Sequence, residues 1–277
     1  AHIKNFKNLN EIASAKSEMM NNITQNGTIV LNMDDNYFNF LKKIALKKKL
    51  KIISFSKKIS SADIFLKKIV KYKSNLKVIF KIKNYYKSFI IKNNLKPYIE
   101  NLLASVSVIS EFFNLNKVNE KLFFDFSLPN SRGDFSKIRI SNKKLFLIDE
   151  SYNSNPLSLE FAIKNFDSLK FKNKKKYLLL GDMLEMGKFS KILHRNIAKI
   201  INKTSVDKIY VYGKDIKETY YAVSSDKRGK ILSNINEIYN LIKNDLNNND
   251  YLMIKGSNST GLNKFVTKIK KERINAL

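Results

Sequence analysis

The sequence predicts an α/β protein whose carboxyl-terminal half contains a doubly wound, mainly parallel sheet. Short apolar segments alternate there with amphipathic segments of helical length, which is the pattern of successive β-α-β units. The predicted strands cover residues 145–148, 177–180, 208–211 and 251–254. The predicted helices cover residues 157–169, 190–201, 214–223 and 235–246, with a last helix from about Leu262. Because these strands run in parallel, their carboxyl ends are expected at one edge of the sheet.

The amino-terminal half predicts a second α/β unit with a less regular order. Helical patterns cover the first 26 residues, residues 37–50 and residues 97–113. Short apolar strands are predicted at 28–32 and 52–55, and residues 75–92 alternate as antiparallel strands do, with a turn near Asn84.

A domain boundary is predicted where this periodicity lapses, between residues 121 and 134. The run Pro129–Gly133 contains turn-forming residues and begins the second half of the chain. We therefore divide the sequence into domains 1–128 and 129–277, which are of ordinary domain size.

The composition excludes several classes of protein. There is no cysteine, so the chain forms no disulfide and offers no thiolate to a metal. No apolar run is long enough to cross a bilayer, and the amino terminus lacks the apolar core of a signal peptide. We expect a cytoplasmic monomer without membrane insertion.

The strong positive charge has two explanations. The 52 basic and 24 acidic residues give a net charge of +28, which ordinarily indicates a polyanionic partner such as nucleic acid. The lysines, however, occur in nearly every segment and accompany abundant Asn and Ile, whose codons are also AT-rich. A low-GC genome therefore explains the bias, and we expect no nucleic-acid partner. A phosphate-bearing small substrate would still benefit from the positive field.

The run IDESYNSNP at residues 148–156 links a predicted strand to a predicted helix. Asp149 and Glu150 lie at the carboxyl end of the strand, where open α/β sheets bind their ligands. Residues 153–155 are all good helix caps, and Pro156 suits a first helical turn. The pattern fits a ligand site and equally a capped turn without any ligand.

Two further polar turns follow predicted parallel strands, at Gly181–Gly187 and Lys255–Ser259. One such turn usually only connects two elements. Three turns that converge on one edge of a sheet predict a site.

Patterns alone leave three other candidates undecided. His2 is more simply a structural histidine than a metal ligand, although neutral imidazole is a common ligand. Lys16 lies among small residues and is more simply a solvated lysine. Arg132 beside Gly133 is equally compatible with a phosphate clamp and with a solvated linker arginine.

Six segments together resemble the Mur ligases, over almost the whole chain. Their sequences are AHIKNFKNLNEIASAKSE, TIVLNMDD, NLLAS, LIDESYNSNPLSLEFAI, LLLGDMLEMGKFS (followed by His194) and MIKGSNST. The resemblance implies a truncated central ATPase domain followed by a Rossmann-like carboxyl-terminal domain. It also implies ATP-dependent amide formation in peptidoglycan precursor synthesis, with ATP and Mg²⁺ as cofactors. The implied substrates are UDP-N-acetylmuramoyl-tripeptide and D-alanyl-D-alanine.

The resemblance assigns a role to each candidate residue. Magnesium is expected at His2 and at Lys16, whose carbamoylation would give it a carboxylate-like anion and a catalytic role. Nucleotide contacts are expected from Asn101, Arg132, Asp149, Tyr152 and Asn153. Contacts with the peptide substrates are expected from Asn155, Lys255 and Ser257.

Two departures from the family pattern affect these expectations. Pro97 and Tyr98 replace a His-Asn pair that usually precedes the residue matching Asn101. No Gly-x-x-x-x-Gly-Lys-Ser/Thr run, the loop that cradles ATP phosphates, occurs in the 277 residues. We therefore expect this chain to be an inactive fragment of a longer ligase. The alternatives are another Mur or folylpolyglutamate-type ligase, and a non-catalytic module that binds nucleotides or polyanions.

Overall fold

The computed structural model describes residue 6 and the ranges 8–140, 142–169 and 174–271. The chain divides into two compact units, one over residues 6–127 and one from Leu128 onward. The α/β fold class predicted from the sequence is confirmed, since both units combine a sheet with helices.

The first unit contains a five-stranded sheet in the order β1-β2-β3-β4-β5. Its strands are β1 (Thr28–Asn32), β2 (Lys51–Ser56), β3 (Ile64–Tyr72), β4 (Asn75–Ile82) and β5 (Tyr85–Ile91). Its helices are α1 (Leu9–Ser17), α2 (Phe38–Lys47) and α3 (Ile99–Phe112). The strands β1, β2 and β3 run in parallel, whereas β3, β4 and β5 form an antiparallel meander.

Alternation along β4 determines which face of the meander is buried. Val78, Phe80 and Ile82 are buried, and the residues between them are not. Phe89 on β5 lies 6.2 Å from Phe80 between ring centroids and is also fully buried. One face therefore packs into the core, as period-two alternation requires.

The second unit contains a six-stranded sheet in the order β10-β9-β8-β11-β7-β6. Its strands are β6 (Asp134–Ile140), β7 (Lys143–Glu150), β8 (Lys176–Gly181), β9 (Lys208–Tyr212), β10 (Arg228–Leu232) and β11 (Tyr251–Lys255). Its helices are α4 (Pro156–Ser168), α5 (Ser190–Ile201), α6 (Lys217–Ala222), α7 (Ile235–Asn244) and α8 (Leu262–Lys271). Every pair of neighbouring strands is parallel except β6 with β7.

Helices cover both faces of this sheet, which makes it doubly wound. Residues of α4, α5 and α6 pack with Leu178, Leu180 and Met253 on one face. Residues of α7 and α8 pack with Leu147 and Leu252 on the other. The central strands are consequently apolar at nearly every position, as in other buried parallel sheets.

Three strands and the extent of one helix differ from the elements predicted from the sequence. The pattern predicts no element at β3, β6 or β10. Lysines interrupt the pattern of β3, and its register with β4 shifts between Leu66 and Lys68. The helical pattern over the first 26 residues corresponds, where the structure describes it, to α1 and a 3-10 helix at Glu18–Asn22. None of the helices in the described ranges combines the length and the apolar composition that a bilayer crossing demands.

The carboxyl ends of β1 and β2 are joined by Asp34. Its carboxylate accepts hydrogen bonds from the Ser56 hydroxyl at 2.6 Å and from the Lys57 amide at 2.7 Å. Partial burial opposes ionisation of Asp34, but these hydrogen bonds outweigh it and lower the pKa of the carboxyl below 3.8. The ionised carboxylate therefore stabilises the folded first unit.

We predict that Asp34→Asn makes the stability of the first unit less dependent on acidic pH. The folded-state pKa is lowered, so the stabilisation by Asp34 is present above pH 3.8 and is lost as the pH falls through the lowered pKa. Urea unfolding midpoints between pH 5 and pH 2 measure this. The exposed Asp125, changed to Asn, is the matched control. Identical pH profiles for wild type and Asp34→Asn would contradict the prediction.

Candidate functional site

Three polar turns lie side by side at one edge of the second unit. The strand β11 is hydrogen-bonded in parallel to β7 on one side and to β8 on the other. Lys255 at its end lies opposite both Glu150 and Leu180. The turns that follow these three strands therefore begin at the same level, and the predicted convergence is confirmed for the described residues.

Lys255 joins two of these turns from inside the protein. Its side chain is 3% exposed, and its Nζ donates to the Asn153 carbonyl oxygen at 2.9 Å and to Glu150 Oε2 at 3.5 Å. Burial lowers the pKa of Lys255 and raises that of Glu150, and the attraction between the two charges opposes both shifts. The Lys255 ammonium is thus bound to two acceptors within the domain. Its expected contact with substrate remains a prediction.

Ser257 joins the turns after β8 and β11. Its Oγ accepts a hydrogen bond from the Leu184 amide at 2.9 Å, and its amide donates to the Asp182 carbonyl oxygen at 3.0 Å. Ser257 Oγ also lies 3.4 Å from the Ser154 carbonyl oxygen, in the turn after β7. One buried serine is therefore in contact with all three strand ends.

His194 also holds the turn after β8. The imidazole is fully buried on α5, and its Nε2 accepts a hydrogen bond from the Met183 amide at 2.9 Å. Since Nε2 accepts, a neutral ring carries its proton on Nδ1, which lies 2.8 Å from the Ser190 carbonyl oxygen and donates to it. The Thr219 hydroxyl in turn donates to the His194 carbonyl oxygen at 2.6 Å.

Asp182, in the same turn, organises the neighbouring connection between β9 and α6. Its carboxylate accepts hydrogen bonds from three successive amides, at residues 214, 215 and 216, over 2.7–3.0 Å. Gly213 precedes them with φ +145°, and a Cβ atom there would lie 2.5 Å from the Asp182 carboxylate. A glycine is required at this position for both reasons.

A second polar cluster is centred on Asp149, which is 1% exposed. Asp149 Oδ1 accepts from the Ser151 hydroxyl at 2.6 Å, and Oδ2 accepts from the Ser131 hydroxyl at 3.0 Å and from Lys270 Nζ at 2.6 Å. Burial opposes the charge of Lys270, but its bonds to Asp149 and Asp134 outweigh that and raise its pKa. The Asp149 carboxylate thus links the turn that carries Ser131 to the turn that carries Ser151.

Arg132 and Tyr152 form the exposed part of this cluster. The Arg132 guanidinium lies 4.1 Å from the centroid of the Tyr152 ring, within the range of a cation–π contact. The Tyr152 amide donates to the Ser131 carbonyl oxygen at 3.1 Å, and the Gly133 amide donates to the Asp149 carbonyl oxygen at 2.7 Å. The backbone therefore fixes the two side chains relative to each other, at the edge where the three turns converge.

Residues 153–155 make different contacts and have separate roles. Asn155 caps α4, because its side chain accepts from the Ser158 amide at 2.9 Å while the Ser158 hydroxyl accepts from the Asn155 amide at 3.1 Å. The Asn153 side chain accepts from the Ser154 amide at 2.8 Å. Asn155 is therefore the cap among the three residues that sequence analysis left open, and its substrate contact remains a prediction.

The remaining candidates lie in the first unit or outside the described residues. Lys16 is exposed in the last turn of α1, and Asn101 is exposed near the start of α3. His2 lies outside the described residues. Among the residues that are described, no three or more His, Cys, Asp or Glu side chains gather as a metal site.

Several residues that build the site have no individual role predicted from the sequence. Glu150 and Asp182 are members of polar turns there, and His194 is part of a family motif. A local signal existed for His194, since it follows Ser190 by one helical turn directly after a glycine-bearing loop. Its contact with Met183 has no such local signal.

Comparison with known proteins identifies relatives of both units. The family model of the Mur ligase middle domain matches residues 1–109, and that of the Mur ligase glutamate ligase domain matches residues 137–258. The UDP-N-acetylmuramoyl-tripeptide--D-alanyl-D-alanine ligase of Buchnera aphidicola subsp. Baizongia pistaciae is 32% identical over 98% of this chain and 57% of its own length. The chain thus spans less than two thirds of this relative.

Solved structures show the same fold. MurF from Acinetobacter baumannii superposes with a TM-score of 0.78 at 19% identity, over 98% of this chain and 57% of the other. The MurF ligase from Thermotoga maritima in complex with ADP superposes with a TM-score of 0.76 at 18% identity, over 100% of this chain and 61% of the other. At these identities the superpositions show the fold alone.

We predict that Lys255→Met destabilises the second unit by about 3 kcal/mol, because breaking a buried ion pair leaves the partner charge and a carbonyl oxygen without a donor. Urea unfolding followed by circular dichroism measures the change. Lys264→Met, at an exposed lysine of α8, is the matched control and should change stability by less than about 0.5 kcal/mol. The double variant Lys255→Met with Glu150→Gln should recover part of the loss; no recovery would contradict the pairing.

We predict that His194→Ala accelerates hydrogen exchange at the Met183 amide, because that amide loses its acceptor. Exchange rates measured by NMR on the folded protein test this. His194→Gln offers an amide oxygen near the position of Nε2 and should restore part of the protection. If Met183 exchanges at the wild-type rate in His194→Ala, the imidazole does not hold this turn.

Proposed function

The chain belongs to the Mur ligase family, and we propose that it comprises the amino-terminally truncated central domain and the carboxyl-terminal domain of a ligase that joins D-alanyl-D-alanine to UDP-N-acetylmuramoyl-tripeptide. The observation that carries this proposal is the sequence similarity to the Buchnera ligase of that name, which extends over 98% of this chain. The structure supports the proposal because three polar turns follow neighbouring parallel strands and lie at one edge of the sheet.

The proposed reaction is ATP-dependent amide formation. ATP phosphorylates the terminal carboxylate of the UDP-linked tripeptide, and the amine of D-alanyl-D-alanine attacks the resulting acyl phosphate. The tetrahedral intermediate then expels phosphate. A cytoplasmic location and a monomeric state are part of the same proposal.

Arg132 and Tyr152 are the proposed nucleotide contacts of the second unit. A guanidinium binds phosphate oxygens through paired donors, and its contact with the Tyr152 ring restricts its orientation. Asp149 contributes through Ser131 and Ser151, which shape the turns carrying these two side chains. Asn153 and, in the first unit, Asn101 complete the proposed set.

The turn after β11 is proposed to meet the peptide substrates, with Asn155 nearby. Lys255 would act by fixing the Asn153 carbonyl group, since its own ammonium is buried. Ser257 would act in the same way, through the Leu184 amide. In this proposal both residues position the edge, in addition to the substrate contacts predicted for them and for Asn155.

Magnesium is proposed for the complete enzyme, where it would neutralise phosphate oxygens. The described residues do not form a metal site by themselves. His2 and a carbamoylated Lys16 are the proposed contributions of this chain.

The alternative ligases of the same superfamily and a non-catalytic binding module remain distinct proposals. The name of the Buchnera relative favours the D-alanyl-D-alanine ligase over other Mur or folylpolyglutamate-type ligases. A non-catalytic module would bind nucleotide without forming product. Product analysis therefore separates these alternatives.

We predict that Lys16→Ala abolishes ligase activity in the product of the longest reading frame that contains this chain, while the fold is retained. Activity is measured as D-alanyl-D-alanine incorporated into the UDP-linked tripeptide, and folding by circular dichroism. Short carboxylic acids should restore part of the rate by replacing the carbamate. Lys43→Ala, at an exposed lysine of α2, is the control. Normal turnover of Lys16→Ala would contradict the assigned role, and a wild type without product would contradict the proposed function.

A further inference from the structure

The antiparallel meander of the first unit carries positive charges only. Residues 64–92, which contain β3, β4 and β5, include nine lysines and no aspartate or glutamate. Over the whole chain there are 24 acidic residues for 52 basic ones. Residues 36–62 have a similar composition, so what distinguishes the meander is the arrangement of its side chains on one face.

Strand register shows which side chains share the outward face. On β4 the residues that alternate with the buried ones are Lys77, Ile79 and Lys81. Their cross-strand neighbours on β3 are Val70, Lys68 and Phe65, and those on β5 are Ile90, Ser88 and Tyr86. We call this set, with Tyr72 opposite Asn75, the meander face.

The meander face combines exposed lysine, aliphatic and aromatic side chains. Lys68 is exposed, and Val70, Tyr72 and Tyr86 are 36%, 39% and 59% exposed. Lys73 and Lys83 are exposed in the two hairpin turns beside it. At the end next to Ile90 the face is bounded by Glu120, which pairs with Lys77 at 3.3 Å. The exposed remainder is therefore positive and partly apolar.

We propose that the meander face binds an anionic lipid surface peripherally. Lysines near such a surface gain electrostatic attraction, and tyrosines favour the region between lipid headgroups and acyl chains. Val70 and Ile79 favour a bilayer over single-stranded nucleic acid, which offers base planes for aromatic rings and little for aliphatic side chains. This inference is independent of the proposed ligase activity, because it depends only on the first unit.

Sedimentation of the chain with vesicles tests this inference. We expect binding to phosphatidylcholine vesicles that contain phosphatidylserine, and little binding to phosphatidylcholine alone. The double variant Lys68→Glu with Lys81→Glu should lower partitioning by at least about 20-fold, since each lysine near the surface contributes about fivefold. Lys191→Glu with Lys264→Glu changes the net charge equally at exposed sites of the second unit, and should lower it by less than about threefold.

Three results would overturn the inference. An equal loss in both double variants would show attraction by net charge alone. Absence of binding to the anionic vesicles would show that the meander face does not bind an anionic lipid surface. Tighter binding of a single-stranded oligonucleotide than of vesicles at equal salt, lost in Lys68→Glu with Lys81→Glu, would assign the face to nucleic acid. If the glutamate variant does not fold, the neutral pair Lys68→Gln and Lys81→Gln replaces it, with an expected loss of at least about tenfold.

Discussion

A single buried ammonium group determines the geometry of the candidate site. Lys255 lies at the end of the central strand β11, between Glu150 and the Asn153 carbonyl oxygen. A charge in that position is stable only while both partners are present, since desolvation is otherwise uncompensated. The chain after β7 is therefore held against the end of β11. Ser257 and His194 extend the same arrangement to the turn after β8 through two backbone amides.

Much of the second unit could be predicted from the sequence because its signals are local. The four predicted parallel strands are short apolar runs, α4 and α7 begin at capping asparagines, and parallel order brings the turns to one edge. Strands such as β10 could not be predicted in this way. It begins with Arg228, Gly229 and Lys230 and has only two apolar residues, so its pairing with β9 defines it as a strand.

The candidate site was predictable as a location but not as a network. Polar residues after three parallel strands indicate an edge where ligands bind, and residues 149–155 and 255–257 do lie there. The contacts that fix this edge join side chains to distant backbone groups: His194 to Met183, Asp182 to residues 214–216, and Lys255 to Asn153. A hydrophobic periodicity does not reveal such contacts, because nearly every residue type has the same backbone N–H and C=O groups. The family resemblance supplied roles for residues, whereas the structure shows which of them are buried.

The prevalence of backbone partners has an evolutionary consequence. The ties between the three turns end on the carbonyl oxygens of Asn153 and Ser154 and on the amides of Met183 and Leu184, so they do not depend on which side chains those positions carry. Exposed positions in these turns can therefore mutate freely while the buried lysine, serine and histidine keep the main chain in place. Such an edge separates the residues that drift from those that selection must retain, and it allows a change of ligand preference without a change of fold.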